Sequence, residues 1–321
     1  MSSNLPEFTS ASEQWEIPQT IEVEPPPARK EWAISMLLFF VTILTTSLAG
    51  LSYRTGFDIP KALLFVQLKP SLLLRGLFFS LPLIVILLAH EMGHFLACRY
   101  YGMRCTPPYF IPLPIPLTGT LGAFIKIKSR FLNRKALFDI GIAGPLAGFF
   151  FVLPTLCVGI KLSNLIPKGL AGSSGLSFGE PIIFRFLGKL ILGYSSAHQD
   201  MFPHPIAMAA WVGLLATSLN LLPIWQLDGG HIAYAMIGRS RHKTLSIVAL
   251  LALIFVSLSG WPVPSYALFS ILLLIVGIRS RFYHPPVVLE EEHLGFGRVI
   301  LGLIAYLILI ISFTPAPVTL N

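Results

Sequence analysis

Residues 83–100 read LIVILLAHEMGHFLACRY, a His-Glu-x-x-His set inside a run otherwise apolar enough for a membrane helix. On a helix His90 and His94 project from one face, the spacing at which two imidazole nitrogens share one zinc ion. Glu91 sits one step round, placed to take a proton from an activated water and too close to His90 to be a natural third ligand. Holding such groups in hydrocarbon costs on the order of 2–3 kcal/mol or more each, so something has to offset them. A bound metal does that.

Working outward, the chain has 321 residues, 54% of them hydrophobic and 12% charged, with a mean hydropathy of +0.74. Those values describe a polytopic membrane protein. Apolar runs near 33–51, 74–100, 137–160, 206–224, 244–260, 263–278 and 299–313 predict an all-α fold of about seven transmembrane helices. The fifth and sixth are separated only by Gly260, Trp261 and Pro262, which reads as a tight helical hairpin. Cys98, Cys105 and Cys157 are odd in number and form no C-x-x-C, so they read as apolar filler.

Residues 1–32 hold six glutamates and the run Pro25-Pro26-Pro27, and read as a disordered acidic cytoplasmic tail. The remainder, 33–321, reads as one membrane domain with its catalytic core at about 70–240. The tail has neither a basic n-region nor an apolar h-region, so the first span is expected to act as its own insertion signal. It also lacks the Arg-rich, acidic-poor character of a transit peptide, which favours a bacterial cytoplasmic membrane over a plastid. The net charge of +8 raises the question of nucleic acid. Topology explains it better: with the N-terminus inside, 15 of the 23 Lys and Arg fall on inside segments. No nucleic-acid partner is expected.

That orientation puts His90 and His94 toward the cytoplasmic end of the second span. Only Glu91 and Asp228 among the acidic residues read as lying well inside, or at the end of, an apolar run. Asp228 follows the fourth span, which also runs inward, so the two groups reach similar depth. His90, His94 and Asp228 are therefore expected to be three protein ligands of one zinc per chain, with a fourth position open.

Three separated motifs, HEMGH in one span, GIAGPLAGF opening the next and NLLPIWQLDGGH ending a later one, resemble the site-2 protease family of intramembrane zinc metalloproteases. The stretches PPYFIPLP and GTLGAFIKIKSR are similar to the branch shared by plant chloroplast EGY-type proteins and bacterial relatives. The resemblance implies the same three ligands, Glu91 as catalytic carboxylate, and a transmembrane segment as substrate, cut within or near the bilayer. Trp225 departs from the pattern, being bulky where a small residue is expected.

Other residues divide between roles. Asn220 is read as a catalytic partner that hydrogen-bonds substrate backbone or a developing oxyanion; otherwise it pairs with a carbonyl freed by Pro223. His231 is expected to support the Asp228 turn rather than to bind zinc. His198, His204, His242, His284 and His293 read as plain loop residues. Residues 105–130 open with helix-forbidding prolines and continue with partial strand alternation through Phe124, Ile125 and Lys126. They predict a small β-hairpin between the second and third spans whose edge binds unwound substrate; a surface connector is the alternative. Gly141, Gly144 and Gly148 fit close helix packing. Residues 182–192 are too few to span, and predict an interfacial or re-entrant helix, either a gate or a plain connector. Glu290-Glu291-Glu292 reads as a solvated turn.

Two further function classes compete. A transporter would show paired repeats and broken helices in both halves, and none is visible. A non-proteolytic zinc-binding scaffold would have no reason to retain Glu91, and Glu91→Gln separates it from an enzyme.

Overall fold

The computed structural model describes residues 26–53, 56–168, 176–259, 266–280, 282, 284–290 and 293–320. Four helices are long and apolar enough to cross a membrane: α1 (Arg29–Ser52), α3 (Leu73–Tyr100, entered through a 3-10 turn at Pro70–Leu72), α4 (Arg134–Lys161) and α8 (Arg239–Ser259). Between α1 and α3 lies α2 (Ile59–Leu68), capped by the Asp58 carboxylate on the Lys61 amide at 2.8 Å. The other three expected spans fall on shorter apolar helices, α6 (Pro205–Asn220), α9 (Ala267–Arg279) and α10 (Phe296–Ser312). At 16, 13 and 17 residues they are below the ~20 that a bilayer asks of a straight helix. The expected run 206–224 is cut at Asn220, ahead of Pro223, and the chain restarts as α7 (Asp228–Ile237). The turn expected at Gly260–Pro262 lies outside the described residues.

Small residues bring the helices together. A Cβ on Gly76 of α3 would stand 1.9 Å from the Ser47 carbonyl oxygen of α1, and one on Gly159 of α4 2.3 Å from the Ala207 amide of α6. In lipid, such close approach gains dispersion and lets polar groups meet, as Thr46 and Ser80 do at 2.6 Å. The main core joins Phe79, Leu83 and Ile86 of α3, Val152 and Leu156 of α4, and Trp211 and Leu214 of α6.

The hairpin expected between the second and third spans is present, as β1 (Tyr109–Pro112) and β2 (Thr120–Phe124), antiparallel with Phe110 opposite Ala123. Pairing continues past both strands: the Thr106 amide donates to Lys126 O at 3.0 Å, and the Lys128 amide to Arg104 O at 2.8 Å. The hairpin lies along α1. Its base is held by the Lys128–Glu31 ion pair and by the Ser35 hydroxyl on Pro108 O; its tip is held by the Tyr53 hydroxyl on Leu117 O, with Gly119 against Thr45. Ser35 and Tyr53 are about 27 Å apart along a helix at 1.5 Å per residue. The hairpin therefore extends along most of α1, a length comparable to the ~30 Å thickness of the hydrocarbon.

Some expectations need correcting. The tail expected over 1–32 overlaps a helix: Arg29–Trp32 are the first turn of α1, stabilised by Glu31 reaching back to the Ala28 amide at 3.0 Å. Residues 1–25 lie outside the described residues. Asp139 sits inside α4 rather than in a loop, held by both nitrogens of the Arg298 fork at 2.8 Å. The long 161–205 segment carries β3 (Asn164–Pro167) paired with β5 (Gln199–Phe202), and β4 (Leu176–Phe178) paired with β6 (Val318–Leu320). These strands are too short to show a period of two. Between them α5 (Ile182–Leu192) has the expected bounds, with Phe184 and Gly188 inward and Phe186 and Leu190 exposed.

Candidate metal centre

His90 and His94 face α4 and α7 from one side of α3, as their spacing requires. Asp228 is the first residue of α7. Its two oxygens stand 3.1 Å from His90 Nε2 and 3.3 Å from His94 Nε2, and the two Nε2 atoms are 3.2 Å apart. Atoms bound tetrahedrally to one zinc at ~2.0–2.1 Å are roughly 3.3 Å from each other. The two nitrogens have that spacing, and each has one carboxylate oxygen of Asp228 at a similar distance.

The hydrogen bonds around the cluster are compatible with such an ion. His94 Nδ1 lies 2.7 Å from Ile140 O, and a carbonyl only accepts, so Nδ1 carries a proton and Nε2 is the nitrogen turned to the cluster. The Asn220 side-chain amide lies 3.3 Å from His90 Nε2. Asp228 Oδ2 is buried without a hydrogen-bond partner. Two imidazole nitrogens and a carboxylate with one orphaned oxygen converge in a dry site, a donor set that a cation would satisfy. Among the described residues this is the one group of three or more His, Cys, Asp or Glu that could hold a metal ion. The residues present fit zinc.

The face opposite the imidazoles is built without side chains. A Cβ on Gly144 would stand 2.1 Å from His94 Nε2, one on Gly148 3.2 Å from the His90 Cβ, and one on Gly141 2.8 Å from the His231 Cβ. Gly144 and Gly148 of GIAGPLAG thus face the two imidazoles of the cluster, and Gly141 faces His231 on the α7 turn. Gly93, inside HEMGH, admits α4 in the same way, its Cβ direction pointing at Ala143 O at 2.4 Å.

Glu91 is buried at 6% exposure on α3, between the two histidines in sequence. The segment running on from β2 meets α3 through the side chain of Ile125. Ile125 itself packs with Phe95 and Cys98 of α3, whereas Phe124 and Lys126 are exposed. Asn220, the last residue of α6, faces the metal ligands rather than a carbonyl freed by Pro223. Trp225, in the 221–227 break, takes a left-handed φ of 47°, and its amide is held by the Ser246 hydroxyl at 3.1 Å.

His231 turns away from the ligands, its Nδ1 2.7 Å from His284 Nε2. His242 and His284 are not plain loop residues: they are buried at 1% and 2% exposure, and their rings pack together with a centroid distance of 5.6 Å. His242 heads the buried stripe of α8, four residues before Ser246, whereas His284 lies between helices with no such stripe to mark it as interior.

Comparison with known proteins agrees with this geometry. The chain is 31% identical over 304 residues to a probable zinc metalloprotease EGY2, chloroplastic, of Oryza sativa subsp. indica, covering 94% of this chain and 54% of that protein. A probable zinc metalloprotease EGY1, chloroplastic, of Arabidopsis thaliana is 27% identical over 299 residues, covering 89% of this chain and 53% of the relative. The EGY1 protein of Oryza sativa subsp. japonica is 31% identical over 229 residues, covering 65% and 38%. The chain thus spans about half the length, or less, of these curated relatives. The profile of peptidase family M50 matches residues 78–259, from the early turns of α3 to the end of α8, taking in every residue that meets at the metal-binding cluster. A match of that extent, over donor atoms already spaced for zinc, establishes that the chain belongs to peptidase family M50, the site-2 proteases.

Proposed function

We propose that the chain is an intramembrane zinc metalloprotease that cuts a transmembrane segment of a membrane-protein substrate within or near the bilayer. The observation that carries this reading is the convergence of three potential metal-donor side chains from α3 and α7 beside a buried carboxyl group. His90, His94 and Asp228 would hold the ion. Zinc in such a donor set supplies Lewis acidity and acidifies water to a pKa of ~7. Glu91 takes the proton of the attacking water and returns it to the leaving amine nitrogen. Asn220, whose amide lies within reach of His90, is placed to donate toward an oxyanion developing over the ligands.

A transmembrane helix has its carbonyls committed to internal hydrogen bonds, so cutting it requires unwinding. Residues 124–128 offer the unwound stretch a strand edge next to Glu91, with Phe124, Ile125 and Lys126 as its substrate contacts. Prolines placed singly in 124–128 remove an amide from that edge or from its pairing with 104–106. They should lower cleavage at least about tenfold, the worth of the ~1.4 kcal/mol a hydrogen bond contributes, with zinc content unchanged. Unchanged cleavage would sink the strand-edge role.

The Lys and Arg bias supports a cytoplasmic N-terminus, with the metal nearer that face and reached by water from it. It agrees with seven crossings, in which α6, α9 and α10 span with the help of their flanking segments, in a bacterial cytoplasmic membrane.

Zinc analysis of detergent-purified protein tests the reading without a substrate. Wild type should carry one zinc per chain, and His94→Ala and Asp228→Asn should lose or weaken it. Folded wild type that is metal-free in the absence of chelators would overturn it.

A further inference from the structure

The first turn of α7 carries Asp228, yet its N-cap, Leu227, offers no side-chain cap, so the turn takes its orientation from what packs around it. In front stands the Gly141 face of α4. Behind it are two groups from the C-terminal part of the chain, beyond the family-matched 78–259. The Tyr306 hydroxyl donates to Gly229 O at 2.8 Å, and His284 Nε2 meets His231 Nδ1 at 2.7 Å.

The direction of the His231–His284 bond follows from its far end. His284 Nδ1 is 2.7 Å from Pro285 O, which can only accept, so Nδ1 bears the proton. Burial, with His231 alongside, pushes the His284 pKa down to about 2. The ring is neutral and its Nε2 accepts. His231 Nδ1 is therefore the donor, and the chain of hydrogen bonds runs His231 to His284 to Pro285. Tyr234 and His242 close the cage, with ring centroids 4.5 Å and 5.6 Å from that of His284.

We propose that His284 is a positioning residue for the metal centre: by accepting the His231 Nδ1 proton it fixes the first turn of α7 at the rotation that presents Asp228 to His90 and His94. This rests on the reading of those three residues as zinc ligands. It makes the segment between α9 and α10 part of the site although it contributes no ligand.

The test uses the full chain in detergent, with zinc affinity and the visible spectrum of the cobalt-loaded protein as readouts. His284→Leu should weaken zinc at least about tenfold, in line with the effect of outer-shell partners, and should change the cobalt bands. His284→Gln should restore both, because an amide oxygen accepts from His231 while its NH2 donates to Pro285 O. Wild-type behaviour of the Leu variant, or equal damage from Leu and Gln, overturns the inference. If His284→Leu does not fold, the pair His231→Phe/His284→Leu leaves no orphaned polar group and should show the same weakening; wild-type affinity and bands in the pair overturn it. Wild type that takes up neither metal overturns the zinc reading and this inference together. Normal loading with indifferent variants overturns the inference alone.

Discussion

Replacing Glu91 with Gln should leave a protein that still holds one zinc and no longer cuts. The two side chains have nearly the same shape, so the buried setting of residue 91 is preserved. What disappears is basicity. Positioned general acid–base groups contribute typically 10²–10⁴-fold, and cleavage of single-span reporters in proteoliposomes should fall by about that factor. Zinc content and thermal unfolding should stay at wild-type values. Undiminished cleavage would remove Glu91 from the reaction, and loss of zinc would make it a ligand or a structural group. Wild type that cuts no membrane reporter yet holds zinc would return the scaffold alternative to first place.

Gly144→Ala should abolish metal binding, a large effect for one methyl group. In the interior of an ordinary helix this change is favourable by about 1 kcal/mol. Here the new methyl would lie 2.1 Å from His94 Nε2, the donor atom itself. His94 cannot retreat without giving up its bond to Ile140 O and its place opposite Asp228. Zinc affinity should fall about 100-fold or more, whereas Gly148→Ala, with 3.2 Å to the His90 Cβ, should be much milder. Equal effects at 144 and 148, read by zinc titration of the purified chain, would mean that the glycines serve helix packing in general and not the ligand.

The meeting of His90, His94 and Asp228 was legible in the sequence because each carried a physical signal: His90 and His94 their helical spacing, Asp228 its depth at the end of an apolar run. The hairpin and α5 were legible from prolines and from length. The target of the Gly141, Gly144 and Gly148 face was not, since small residues at helical spacing report that something comes close without saying what. His284 and Arg298 were invisible for another reason. Each is a single residue with no periodic partner, and its contact, His231 or Asp139, lies 53 or 159 positions away. The end of the fourth apolar run was over-read because hydropathy continues past a break in the helix, between Asn220 and Asp228.

The hairpin that lies along α1 also sets an order of manufacture. Irregular backbone is unstable against lipid, but α1 emerges from the ribosome before the hairpin does, so a docking surface is waiting when the strands arrive. Asn220 and Asp228 follow 130 or more residues after His90, and His284 later still. A chain halted part-way through insertion holds two bare imidazoles and no site. The three side chains of the cluster cannot meet until α7 has been made.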